Sequence, residues 1–309
     1  MDRKTPLIII TGPTASGKTG LALNLAKTHP IEAVSADSMQ VYRHMDIATA
    51  KPSKKERVIL PHHVIDVVEP DQEFNAGMFA SIAGHKITSI RSRGNIPVVI
   101  GGTGLYIKAL AYGLAEAPPR SEPLRKSLFS LIEARGLDLL WRLLYANDAP
   151  TAGRISPNDA SRIIRYLEII LLTGKKPSDL YRDHGFTRPL FDIRAVCIMP
   201  ERDSLYRDID KRVISMMDAG LVGETEKLLE MGFSPGLRSM QTLAYRHTIR
   251  LLNRDIPHDQ AVSLIQRDTR RYAKRQMTWL RSNYGPECLF DSPDKAMPTL
   301  SGWLEGTQP

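Results

Sequence analysis

Leu7-Ile8-Ile9-Ile10-Thr11 runs straight into Gly12-Pro13-Thr14-Ala15-Ser16-Gly17-Lys18-Thr19, and helical spacing at Leu21, Leu23, Leu25 and Ala26 follows. A short β-branched apolar run of this kind reads as a buried strand. The octapeptide fits G-x4-G-K-[ST] throughout and sits between a strand and a helix, where phosphate binding needs it. Glycines let backbone N–H groups wrap an anion, and the helix N-terminus adds a favourable dipole. On this reading Gly12, Pro13, Thr14, Ala15, Ser16, Gly17, Lys18 and Thr19 hold a diphosphate. Lys18 neutralises its charge, and the Thr19 hydroxyl joins the shell of a Mg²⁺ ion.

Outward from this turn, Ile31 to Ala36 reads as a second strand, and Pro97-Val98-Val99-Ile100-Gly101-Gly102 as a third that ends in a glycine turn. Strands alternating with helices imply a parallel sheet, with ligands beyond the carboxyl ends of the strands. Ala115 to Pro123 is a linker, after which strand signals vanish until Phe191–Met199. Helical patterns fill the gap at 124–135, 137–145 and 159–172; others follow at 204–219, 223–231 and 260–281. The expected fold is therefore α/β: a P-loop-like core with a parallel sheet flanked by helices, plus a helical insertion domain. Its boundaries fall at 1–116 and 189–284 for the core and 117–188 for the insertion. Residues 285–309, with Pro286, Pro293, Pro298 and Gly302, read as a loose acidic tail.

Composition narrows the function classes. The 309 residues are 42% hydrophobic, too apolar for a disordered chain. No apolar run approaches the ~20 residues of a membrane span. Met1-Asp2-Arg3-Lys4-Thr5-Pro6 lacks the apolar segment of a signal peptide. Cys197 and Cys288 form no CxxC pair, which excludes cysteine-built metal clusters and suits reduced thiols in the cytoplasm. The net charge of +8 suits a polyanionic partner. Residues 120–182 carry 11 Lys and Arg against 7 Asp and Glu, whereas 283–309 carry 1 against 4.

A phosphate turn specifies a site and leaves the reaction open. A small-molecule kinase would hold Mg²⁺ with an Asp after four apolar residues. The third strand here ends without a carboxylate, and Val64-Ile65-Asp66 offers only two apolar residues before its Asp. A non-enzymatic RNA-binding NTPase is a further alternative. Asp37 closes the second strand near the phosphate turn, where it either accepts a proton from a nucleophile or, with Ser38, caps the following helix.

Several blocks together are more specific. GPTASGKT (12–19), ADSMQVYRHMDIATAKPS (36–53), PHHVID (61–66) and GGTGLYIKAL (101–110) resemble the bacterial tRNA dimethylallyltransferases, the tRNA isopentenyltransferase family. SPNDASRIIRYLEIILLTGKKPS (156–178), DKRVISMMDAGLVGE (210–224), RSMQTLAYRH (238–247) and TRRYAKRQMTWLR (269–281) extend the resemblance from about residue 7 to 281. It implies transfer of a dimethylallyl group from dimethylallyl diphosphate to N6 of the adenosine 3′ to the anticodon of tRNA. It also implies that Asp37 is the general base, Thr103 lies near the reacting centre, and Arg212 meets the diphosphate. Ser38, Met39 and Gln40 would line the adenine pocket with Asp37 and Thr103. Arg125, Ser161, Arg162, Ile163, Ile164 and Arg165 would meet the anticodon stem-loop, though the family often has Gln where Ser161 stands. Mg²⁺ is the implied cofactor, and a monomer is the default assembly. Ala48 and Ala244 replace glycines common in the family. A basic stripe on the last of these helices (Arg267, Arg270, Arg271, Lys274, Arg275, Arg281) would be a phosphate track. His62 and His63 point to opposite faces if extended, which argues against a shared metal.

Overall fold

The computed structural model describes residues 4–307; Met1–Arg3 and Gln308–Pro309 lie outside the described residues. The chain divides into two compact units, one of residues 1–113 and 189–309 and one of residues 114–188.

The first unit is built on six parallel strands: β1 (Pro6–Thr11), β2 (Ile31–Ser35), β3 (His62–His63), β4 (Ile96–Gly101), β5 (Asp192–Ile198) and β6 (Leu289–Phe290). Their order is β3-β2-β4-β1-β5-β6. From β1 the chain passes to β2 on one side, and after β4 it crosses to β5 on the other. This reversal opens a crevice at the carboxyl ends of the central strands. Register fixes what gathers there. Thr11 lies opposite both Gly101 and Cys197, and Ser35 opposite Ile100. The phosphate turn, the 101–104 turn and Asp37 therefore emerge along one edge.

Strand alternation divides the core between the two faces of the sheet. Leu7 and Ile9 pack with Phe79, Ile107, Val213, Tyr245 and Ile265; Ile8 and Ile10 pack with Leu21, Leu25, Leu300 and Leu304. The helices are α1 (Lys18–Ala26), α2 (Lys54–Ile59), α3 (Ala76–Ser92) and α4 (Gly104–Tyr112) before the insertion. Within it lie α5 (Glu122–Arg135), α6 (Leu137–Asn147), α7 (Ala149–Ala152), α8 (Ala160–Thr173) and α9 (Pro177–His184). After it come α10 (Arg202–Asp218), α11 (Leu221–Glu230), α12 (Tyr245–Leu252), α13 (His258–Asn283) and α14 (Pro293–Glu305). The insertion has its own core of Leu128, Leu140, Leu144, Ile163, Ile164 and Leu167.

The loose-tail expectation is wrong. Residues 289–290 add a strand, and α14 buries Ala296, Leu300 and Leu304 completely against the face that α1 covers. Burial of the two leucines alone contributes on the order of 3–6 kcal/mol. Ser292 caps the helix, and Pro293 occupies a first-turn position where its missing N–H costs nothing. Among the described residues, no helix is long and apolar enough to cross a membrane.

Candidate active site at the phosphate turn

Three positive φ angles shape the turn: Gly12 (154°), Ala15 (63°) and Gly17 (84°). A Cβ on Gly12 would come within 2.5 Å of the Ile198 carbonyl, so the close passage of β5 requires glycine there. Lys18 opens α1 and folds its amine over the turn, donating to the Gly12 carbonyl at 2.9 Å and the Pro13 carbonyl at 2.6 Å. Burial, then the charge of Arg212, pull the Lys18 amine down to about 8; Asp37 and Cys197 act in the opposite sense. Arg212 makes no hydrogen bond or ion pair among the described residues. Burial lowers its pKa, and Asp37 opposes the shift.

The segment after Asp37 is a turn over 38–41 and not a helix, and Asp37 closes it. Its Oδ1 accepts from the Met39 N–H at 2.8 Å and the Gln40 N–H at 3.3 Å, which closes the turn after β2. Its other oxygen carries no protein hydrogen bond among the described residues and remains available. The Thr103 hydroxyl accepts from the Ser38 N–H at 3.1 Å, so it ties the β4 turn to the Asp37 turn.

These groups surround or adjoin one cavity of about 560 Å³ that Lys18, Thr19, Asp37, Arg212, Tyr272 and Gln276 help to line. Ile209, Val213 and Met216, one face of α10, and Ile265 of α13 give it an apolar wall. Tyr272 is pushed up to about 12 by burial and by Asp37. The nearby Cys197 thiol is likewise raised to about 12 by burial, which keeps it neutral.

Chain similarity agrees with this geometry. Residues 40–283 match the model of the IPP transferase family, and residues 5–64 that of the isopentenyl transferases. The chain belongs to the IPP transferase family. Among similar family proteins is tRNA dimethylallyltransferase 2 of Geotalea uraniireducens, 47% identical over 281 residues, 91% of each chain. Another is tRNA dimethylallyltransferase 1 of Syntrophotalea carbinolica, 44% identical over 90% of this chain and 88% of that one. The full-length tRNA isopentenylpyrophosphate transferase of Bacillus halodurans superposes with a TM-score of 0.70 at 35% identity, over 99% of this chain and 97% of that one. A eukaryotic dimethylallyltransferase solved acting on tRNA gives 0.76 at 29% identity, covering 89% and 70%. Membership makes this chain a prenyltransferase.

Within this family frame, the remaining residues named from sequence sort by their surroundings. Ser38, Met39 and Gln40 all line the cavity, and the Gln40 amide is held in place there: its Oε1 accepts from Ser35 and its Nε2 reaches the Thr49 and Ala50 carbonyls. The neighbouring 46–48 segment is held by Glu224, which accepts from the N–H groups of Asp46, Ile47 and Ala48. Neither alanine at a customary family glycine is strained, since neither Ala48 nor Ala244 has a positive φ. His62 bonds the Leu60 carbonyl, His63 meets Glu32, and Asp66 pairs with Lys51 and Arg57. No metal-holding cluster of His, Cys, Asp and Glu is found among the described residues.

In the insertion, Ile163 and Ile164 are fully buried. Their side chains hold α8 in place, which corrects their reading as RNA contacts. Arg165 is spent on Glu168 and the Pro118 carbonyl, and Arg125 lies 4.0 Å from Glu168. Ser161 is exposed, and Arg162 remains 61% exposed while pairing with Asp159. The stripe on α13 is partly neutralised too. Arg267 and Arg271 pair with Asp268, and Arg270 with Asp210, which leaves Lys274, Arg275 and Arg281 outside any ion pair among the described residues.

Sequence reading missed Gln276, whose partners lie 262 and 174 positions away. Tyr272 lines the same cavity, and 265, 269, 272 and 276 share the helical spacing of one face turned to it.

Proposed function

We propose that this prenyltransferase moves a dimethylallyl group from dimethylallyl diphosphate to N6 of the adenosine 3′ to the anticodon of tRNA, working as a cytoplasmic monomer. One observation carries the reading: a phosphate turn, an unpaired arginine and a half-committed carboxylate share a single cavity with an apolar wall. The donor's diphosphate lies in the turn 12–19, against Lys18 and Arg212, and its five-carbon chain against Ile209, Val213 and Met216. As the C1–O bond breaks, its electron pair leaves with the diphosphate. Lys18, Arg212 and the turn's N–H groups stabilise that charge. N6 of adenine attacks C1, and its proton passes to the free oxygen of Asp37. Thr103, held by Ser38, orients the amine. To reach this depth the base leaves the anticodon-loop stack, and Ser38 and Met39 line its pocket.

The residues present fit a Mg²⁺ ion. The Thr19 hydroxyl lines the cavity without a protein hydrogen bond among the described residues, and Mg²⁺ favours one or two protein oxygens completed by substrate phosphates and water. When bound there, the ion neutralises diphosphate charge.

The test is incubation of the protein with Mg²⁺, labelled dimethylallyl diphosphate and tRNA, followed by mass analysis of the nucleosides. Prenylated adenosine from the anticodon loop is expected. No transfer to a tRNA bearing adenosine at that position overturns the proposal.

A further inference from the structure

The carboxamide of Gln276 stands between the two turns on which the proposed chemistry depends. Its Oε1 accepts from the Thr14 N–H at 2.9 Å, inside the phosphate turn, and its Nε2 donates to the Gly102 carbonyl at 3.1 Å, one residue before Thr103. A Cβ on Gly102 would lie 2.5 Å from Nε2, so the approach depends on glycine. The same turn is tied onward, because the Thr103 N–H donates to the Ala36 carbonyl at 3.1 Å and the Ser38 N–H to the Thr103 hydroxyl. Behind Gln276, α13 is fixed by buried Ala273, Met277 and Leu280. A continuous path of hydrogen bonds thus joins the phosphate turn, Gln276, the 102–103 turn and the turn of Asp37.

We propose that Gln276 is a positioning residue that sets the spacing between the diphosphate cradle and the proton-accepting side of the site. This rests on the reading of turn 12–19 as the donor's diphosphate site. Reacting atoms must approach to roughly 3–3.5 Å, and a misplacement of about 1 Å costs on the order of 100-fold in rate. The two halves of the amide separate the two effects. Glutamate at 276 keeps an acceptor for Thr14 but loses the donor and turns a carboxylate toward the Gly102 carbonyl. Leucine loses both bonds at nearly the same volume.

The experiment measures kcat, the KM for dimethylallyl diphosphate, tRNA affinity and melting temperature for Gln276→Glu, Gln276→Leu and Lys18→Met. Gln276→Glu is expected to lower kcat about tenfold or more while donor KM stays within about twofold. Gln276→Leu is expected to lower kcat and to raise donor KM about tenfold, the loss of one hydrogen bond to the cradle. Both should keep tRNA affinity and melt within a few degrees of the parent. Unchanged kcat in both variants overturns the proposal, as does a loss confined to tRNA affinity or one that tracks melting temperature. Lys18→Met separates the two readings. If it leaves donor KM unchanged, the diphosphate assignment fails and this proposal with it; if it raises donor KM while the Gln276 variants are silent, the positioning role alone fails.

Discussion

Charge is handled in opposite ways in the insertion and at the phosphate turn. Glu168 of α8 has no exposed surface, yet its oxygens take the Ser121 N–H at 2.7 Å and Arg165 at 2.6 Å, with Arg125 beside them. At the phosphate turn, Lys18 meets only neutral carbonyl and hydroxyl oxygens, Arg212 has no hydrogen bond or ion pair among the described residues, and Asp37 keeps one oxygen free. Desolvating charge without direct pairing is unfavourable, so a fold retains such an arrangement where a ligand of matching charge completes it. Paired buried charge builds the insertion; separated, half-buried charge marks the site.

The largest expected effect tests the paired side. Glu168→Ala leaves Arg165 and the Ser121 N–H without their partner, and breaking a buried pair costs about 3 kcal/mol or more. Denaturant unfolding should show that loss. A stability equal to the parent's would remove the contrast at its root. On the site side, Asp37→Asn should reverse the pattern: its retained oxygen can still close the 37–40 turn, so melting changes little. Single-turnover transfer should slow by about 10²-fold or more, the usual weight of a general base. A normal rate would reduce Asp37 to a turn former.

A smaller effect comes from Lys18. Its pKa of about 8 lies below the ordinary lysine value of 10.5, so the free enzyme loses this charge as pH rises through 8. Only the charged amine attracts the diphosphate, and affinity therefore falls on the alkaline side. Donor KM should be flat below that point and rise roughly fivefold between pH 8 and pH 9, as a single titration requires. Lys18→Arg should flatten the profile, because a guanidinium stays charged. A parent profile flat to pH 10 would refute the shift.

How far the sequence can be read follows from the range of each interaction. The strand-turn-helix at 7–26 was legible because its requirements are local: an apolar run, glycines where φ turns positive, and a lysine at the helix start. Asp37 was legible as a candidate, but its division of labour depends on where two backbone N–H groups point. The last segment failed differently. Pro293 and Pro298 suggested broken structure, while the i, i+4, i+8 spacing of Ala296, Leu300 and Leu304 already described a helix face. Pro298 is accommodated inside that helix, and the sheet face it covers is a tertiary fact that no local pattern contains. The stripe on α13 was over-read for the same reason, since Asp268 accepts arginines from two helices.

The smallest predicted effect compares two arginines one helical turn apart on α8. Arg165 is bound to Glu168, with 26% of its side chain exposed; Arg162 is 61% exposed, and its Asp159 partner is 27% exposed. An ion pair so open to solvent contributes about 0–1 kcal/mol, so Arg162→Ala should leave stability nearly unchanged. If it meets an RNA phosphate, its loss should reduce the slope of log affinity for tRNA against log salt by about 1, one phosphate contact fewer. Arg165→Ala should instead lower stability, because Glu168 keeps its buried charge and loses its closest cation. An Arg162→Ala protein with the parent's salt slope would leave α8 a structural helix on both counts and move the RNA contact elsewhere.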